Sequence, residues 1–113
     1  MLARRFKIGS RPRIEHILKK GRVVRTRLFQ LRFLPNARTS NCRFSAIVSK
    51  KVGPTAVERN KIRRRIYEAL RTTIDALHVK SCYDVIVMAY PLVRTAEFTD
   101  LGSMLSRALN EIS

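Results

Sequence analysis

The chain has 113 residues, 24 of them lysine or arginine and 8 aspartate or glutamate, for a formal net charge of +16. Hydrophobic residues make up 45%, enough for a packed core, so the charge does not mean disorder. The length fits one domain over residues 1–113. No apolar run approaches the roughly 18 residues of a membrane span, and basic residues interrupt the N-terminus where a signal peptide needs an apolar stretch.

Pro12 suits a helix start, and Ile14, Ile17 and Leu18 then recur at helical spacing up to Gly21. Residues 23–34 are rich in branched and aromatic types. Within them Phe29, Leu31 and Phe33 alternate with Gln30 and Arg32, the period of a half-buried strand. Pro35 and Asn36 open a polar turn to Asn41, and residues 44–48 read as a further strand, ended by Ser49-Lys50-Lys51 and the Gly53-Pro54 turn signal.

A long helix is expected from about Ala56 to Leu77, with Ile62, Ile66, Ala69, Leu70, Thr73, Ile74 and Leu77 on one core-facing arc. Arg59 projects close to that arc but in the first turn, so its guanidinium is expected to reach past the core toward whatever docks there. Asp84 to Ala89 is a near-continuous apolar run that fits a strand buried on both faces and ended by Pro91. Thr99 or Asp100 is expected to cap a last helix with an apolar stripe through Leu101, Met104, Leu105, Ala108, Leu109 and Ile112. The fold class is α/β (α+β), a two-layer sandwich of about four mixed strands and three helices in the order α-β-β-(β)-α-β-α, with one parallel pair spanning the long helix.

The charge is uneven: residues 1–71 hold 21 of the 24 basic groups against three acids, whereas residues 72–113 hold three against five. Such crowding costs self-repulsion and calls for a polyanionic partner. The densest part runs from Ser49 to Arg65, where Lys50 and Lys51 leave a strand and Arg59, Lys61, Arg63, Arg64 and Arg65 open a helix. Unpaired N–H groups and the dipole at a helix start attract phosphate, arginine forks bind it bidentately, and the Asn60 amide suits a base edge or 2′-hydroxyl. Composition alone does not separate RNA from DNA. A helix-turn-helix reading is poor because strands precede the basic helix.

The stretch SKKVG…AVERNKIRRRI resembles the signature motif of the bacterial ribonuclease P protein family, with Lys61 at the third position of an Arg-Asn-Arg type motif. Weaker likeness extends over nearly the whole chain, in Lys20-Gly21, Phe29-Gln30-Leu31 and Tyr83 to Val87 before Pro91. The resemblance implies an α/β sandwich with a left-handed strand–helix–strand crossover, against the general right-handed rule. It also implies two RNA-facing surfaces. Arg59, Asn60, Lys61, Arg63 and Arg64 would contact the catalytic RNA. Ile14, Leu18, Gln30 and Arg32, with Lys50 and Lys51, would line a cleft for the 5′ leader of precursor tRNA. Four positions depart from the family pattern: aliphatic Ile14 and Leu18 replace cleft aromatics, Arg65 stands in place of an aliphatic residue, and Tyr67 in place of a basic one. Arg32 is the expected substitute for the lost ring, by guanidinium stacking or phosphate pairing.

No catalytic residue is assigned to the polypeptide. His16 and His78 fall on separate helices, the acids are scattered, and Gly53 stands alone where a nucleotide-hydrolase loop needs several glycines. Glu58 is expected to complement a helix dipole. Cys42 and Cys82 lack partners at metal-ligand spacing, so free thiols in a reducing cytoplasm are expected and no metal ligand is assigned. Any Mg²⁺ is implied by the resemblance and held by the RNA. The partners implied are the catalytic RNA subunit and the precursor leader, with no membrane and no small-molecule substrate. The competing reading is a structural RNA-binding protein of ribosomal type with no role in cleavage.

Overall fold

The structure, a computed structural model, describes residues 4–36, 42–74 and 83–112. Its elements are α1 (Arg11–Lys20), β1 (Arg22–Arg25), β2 (Phe29–Pro35), β3 (Arg43–Ile47), α2 (Ala56–Ile74), β4 (Tyr83–Ala89) and α3 (Phe98–Ile112), with short 3₁₀ turns at Arg4–Phe6 and Pro91–Arg94. This is the expected order, with the optional strand present as β1. Asn41, Leu77, His78 and Cys82 lie outside the described residues, so the far ends of the polar turn and of the long helix fall there too.

The four strands form one sheet in the order β1-β2-β4-β3. β1 and β4 both pair antiparallel with β2, while β3 and β4 form the expected parallel pair, joined through α2. Strand alternation assigns side chains to two faces. Phe29, Leu31, Phe33, Phe44, Ala46, Val85 and Val87 point to one, where they pack with Ile62, Ile66, Ala69 and Leu70 of α2 and Leu101, Leu105, Ala108 and Leu109 of α3. Burying this many large side chains, each contributing roughly 1.5–3 kcal/mol, makes this face the main source of stability.

The other face carries a smaller cluster of Ile8, Ile17 and Ile86, flanked by half-buried Ile14, Leu18, Leu34, Ile47 and Met88. Here α1 lies across the sheet, and local chemistry sets both its ends. Ser10 caps the start, accepting from the Arg13 N–H, with Pro12 in the first turn. At the other end a Cβ on Gly21 would lie 2.5 Å from the Ile17 carbonyl oxygen and 3.2 Å from the Phe33 nitrogen, so only glycine passes from α1 into β1.

Helix α3 begins at Phe98, earlier than the expected caps. Thr99 and Asp100 are inside its first turn, and the Glu97 carbonyl accepts from the Asp100 and Leu101 N–H groups. Tyr67, unusual by comparison with the family pattern, has a local task. Its hydroxyl accepts the Ala46 N–H from the outer side of β3 at 3.1 Å, and the Lys7 ammonium sits 4.8 Å over its ring. Ile8 donates its N–H to the Phe44 carbonyl on the same edge.

Candidate nucleic-acid interface

The turn between β3 and α2 is built to hold the basic cluster still. The Ser49 carbonyl accepts from the Val52 and Gly53 N–H groups, and the Val52 side chain is buried. A Cβ on Gly53 would lie 2.8 Å from Arg59 Cγ and 2.9 Å from the Arg59 nitrogen, so glycine is required for the first turn of α2 to close down. Thr55 and Glu58 form a reciprocal cap: Glu58 N–H donates to Thr55 Oγ1 at 3.1 Å, and Thr55 N–H to Glu58 Oε2 at 3.4 Å. The sequence Thr55-Ala-Val-Glu58 carries this signal, which the dipole reading of Glu58 only half captures.

Arg59 does not reach outward as expected. Its Nη1 donates to the carbonyls of Gly53 (2.9 Å) and Pro54 (3.4 Å), so its guanidinium folds back and closes its own turn. The helical spacing places Arg59 correctly, but preceding carbonyls unpaired in the turn attract the cation. Arg63 donates to Asn60 Oδ1, linking two more of the predicted residues. Arg65 donates to the Ala96 carbonyl at 2.8 Å and ties α2 to the segment before α3, which accounts for a cation at an aliphatic position. Lys61 and Arg64 are exposed, one turn apart on the same side of α2, and make no hydrogen bond or ion pair among the described residues. They are the groups of the cluster most available to a phosphate.

The predicted cleft residues gather on the α1 face. Ile14 and Leu18 are half-buried in its small cluster, so they form a wall and pack at once. Gln30 is 9% exposed, and Arg32 lies two residues further along β2 on the same face. Arg32 Nε donates to Gln30 Oε1 at 3.2 Å, and its Nη1 donates to the Leu18 carbonyl at the end of α1. Arg32 therefore anchors the wall to the floor. Lys50 and Lys51 are exposed beyond the end of β3. Sequence reasoning missed Met88 and Ile47, which the register sets in a row with Gln30 across the floor. The only signal was their place in apolar runs, which also fits plain burial.

Also missed was Asp84, whose fully buried carboxylate anchors the far end of α1. It accepts from Arg13 Nε (2.9 Å), from Arg43 Nε (2.9 Å) and Nη2 (2.8 Å), and from Asn36 Nδ2 (3.0 and 3.1 Å). Arg13 also donates to the Pro35 carbonyl. Burial alone would push the Asp84 carboxyl up, but the donors Arg43, Asn36 and Arg13 outweigh it and hold the group below the usual carboxylate range.

The spare cations thus gather at one end of the sheet: Lys50 and Lys51 lie exposed beyond the end of β3, and Lys61 and Arg64 lie exposed early in α2, the next element. This defines a class, a small basic α/β protein whose spare charge is displayed from a rigid turn. A family model described as Ribonuclease P matches residues 2–113. The Ribonuclease P protein component of Thermus thermophilus is 40% identical over 94 residues, covering 83% of this chain and 52% of the relative. That of Lactobacillus delbrueckii subsp. bulgaricus is 30% identical over 105 residues, covering 93% and 85%. Among solved structures, the Staphylococcus aureus RNase P protein superposes with a TM-score of 0.79 at 29% identity, covering 96% of this chain and 95% of that one. The Thermotoga maritima RNase P protein shares the fold, with a TM-score of 0.82 at 22% identity, covering 95% and 97%. The chain belongs to the ribonuclease P protein family. It spans about half the length of the Thermus relatives it matches.

Proposed function

We propose that this chain is the RNA-binding protein subunit of ribonuclease P, working in the cytoplasm beside a catalytic RNA that removes the 5′ leader from precursor tRNA. The observation that supports the reading is the run of exposed cations from the end of β3 into α2, Lys50, Lys51, Lys61 and Arg64, in a member of this family. Lys61, Arg64, Asn60 and Arg63 would meet the catalytic RNA. Ile14, Leu18, Gln30, Lys50 and Lys51 would meet the leader, with Arg59 and Arg32 holding the two surfaces in shape.

In this reading the chain neutralises phosphates where two RNAs crowd together, so less magnesium is needed and precursor is favoured over mature tRNA. The reaction is phosphodiester hydrolysis, for which RNA-bound Mg²⁺ supplies the activated water. Among the described residues no group of three or more His, Cys, Asp or Glu is placed to hold a metal ion, and no metal ligand is assigned to the chain.

The test is cleavage of a 5′-extended precursor tRNA at low magnesium, by a bacterial catalytic RNA with and without the chain. Cleavage at the mature 5′ end that requires both components is the expected result. Tight RNA binding without stimulation would favour the structural RNA-binding reading instead. A mutant of the related Staphylococcus aureus protein is described as defective in mRNA degradation activity, so incubation of the chain alone with an mRNA belongs in the same series. Degradation there would add an activity borne by the polypeptide.

A further inference from the structure

On the α1 face the register sets Gln30, Met88 and Ile47 side by side across β2, β4 and β3. Met88 and Ile47 are half-buried, so a thioether and an aliphatic side chain beside Gln30 keep part of their surface open. Arg32 holds that amide from one side, its Nε donating to Gln30 Oε1 while its Nη1 is engaged by the Leu18 carbonyl. A guanidinium has donors only, so the atom of Gln30 that faces it must be the carbonyl oxygen, and the amide nitrogen must point away. That nitrogen has no partner among the described residues. No side-chain nitrogen or oxygen among them is both enclosed and unpartnered, so it opens onto the surface.

We infer that Gln30 is a specificity-determining residue that donates to a hydrogen-bond acceptor on one leader base lying over Met88 and Ile47, and that Arg32 is the positioning residue that fixes the direction of the amide. The inference rests on the leader-binding reading above and names the chemistry of its floor. A base fits better than a phosphate for two reasons. Met88 and Ile47 give the amide apolar neighbours, which suit a base face and the soft contacts of methionine sulfur. The cation beside it has two of its nitrogens turned inward on protein carbonyls. The selected edge carries a ring nitrogen or a carbonyl oxygen, and an edge offering only an amino group meets the amide donor to donor. A neutral hydrogen bond of this kind gives a preference of about 2- to 12-fold.

The experiment uses holoenzyme reconstituted with a bacterial catalytic RNA. Precursor tRNAs have each leader base replaced in turn by a deaza analogue or by a base with the opposite edge, and the readout is precursor affinity relative to mature tRNA. With the unaltered chain, removing one acceptor at one leader position should lower affinity about 2- to 12-fold, with little change elsewhere. Gln30→Leu should bind both versions alike. Gln30→Glu keeps an oxygen toward Arg32 but replaces the donor with an acceptor, so the preference at that position should invert, whatever uniform loss the added charge brings. Arg32→Met lets the amide turn over, so the preference should flatten while the salt dependence of binding stays. Arg32→Lys should restore part of it.

Retained discrimination in Gln30→Leu would overturn the inference. So would a uniform loss in Arg32→Met with a shallower salt slope, which would make Arg32 a phosphate ligand. Leader affinity that exceeds mature tRNA but ignores every base would sink the inference and leave the proposed function standing. No leader dependence at all would sink both.

Discussion

The two faces of the sheet are covered by different physics. On one, α2 and α3 bury a continuous apolar layer that includes Phe29, Leu31, Ile66, Leu70, Leu101 and Leu105. On the other, α1 rests on three buried residues and is held at its ends by polar ties, Arg13 to Asp84 at one and Arg32 to the Leu18 carbonyl at the other. Apolar burial is strong but non-directional. Hydrogen bonds and ion pairs add less net stability, but they fix a position while leaving neighbouring surface uncovered. The contrast separates a face closed by apolar burial from one held in place by directional polar ties.

One of the two largest expected effects is at the Asp84 hub. Asp84→Ala leaves Arg13 and Arg43 without their shared carboxylate and should cost about 3–5 kcal/mol in urea unfolding, toward the lower end because both guanidiniums reach solvent. A loss under about 1 kcal/mol would break the contrast.

Next come matched cavities, each expected within about 2–5 kcal/mol. Ile66→Ala, in the deep layer, belongs near the top of that range and Ile17→Ala near the bottom, the latter with amide exchange quickening in α1 before the rest. Equal costs would mean that α1 is held by burial after all.

The pH dependence follows from the same hub. Because the Asp84 carboxyl is lowered in the folded chain, its contribution is fully present above the ordinary aspartate value of about 3.9 and is lost as pH falls through the lower folded value. Unfolding midpoints should therefore drop steeply below about pH 4, and that steepness should be reduced in Asp84→Ala.

A smaller effect sharpens the picture on the α2 side. Thr55→Ala removes one half of the reciprocal cap and should cost about 1 kcal/mol. Smallest in stability is the pair Lys61→Ala and Arg64→Ala, which should leave the melting curve in place. Each lost phosphate contact should nonetheless reduce the log–log salt slope of RNA binding by about 0.7–0.9.

Local patterns made much of this legible in the sequence. Alternation at Phe29, Leu31 and Phe33 gave the strand and its buried face, and the Ile62 to Thr73 spacing gave the helix and its core arc. The Ser49–Arg65 segment was readable as a cationic site because charge density and the turn signal are both local. What stayed hidden depends on partners far away in sequence. Asp84 opens an apolar run and gives no sign that Arg13, 71 residues earlier, reaches it. Arg59 lies on the helix where spacing predicts, yet its direction is decided by two carbonyls of the preceding turn. Met88 was indistinguishable from core until register placed it beside Gln30.

The hydroxyl of Tyr67 has a further consequence for the chain in crowded solution. Open strand edges invite copies of a protein to zip together into aggregates. The outer edge of β3 is taken up by the Tyr67 hydroxyl at Ala46 and by the Ile8 N–H at Phe44. The opposite edge is only the four residues of β1, with Arg22 and Arg25 at its ends. Copies concentrated along a polyanion that cancels their mutual repulsion therefore meet with the β3 edge occupied and only a short, basic β1 edge to offer.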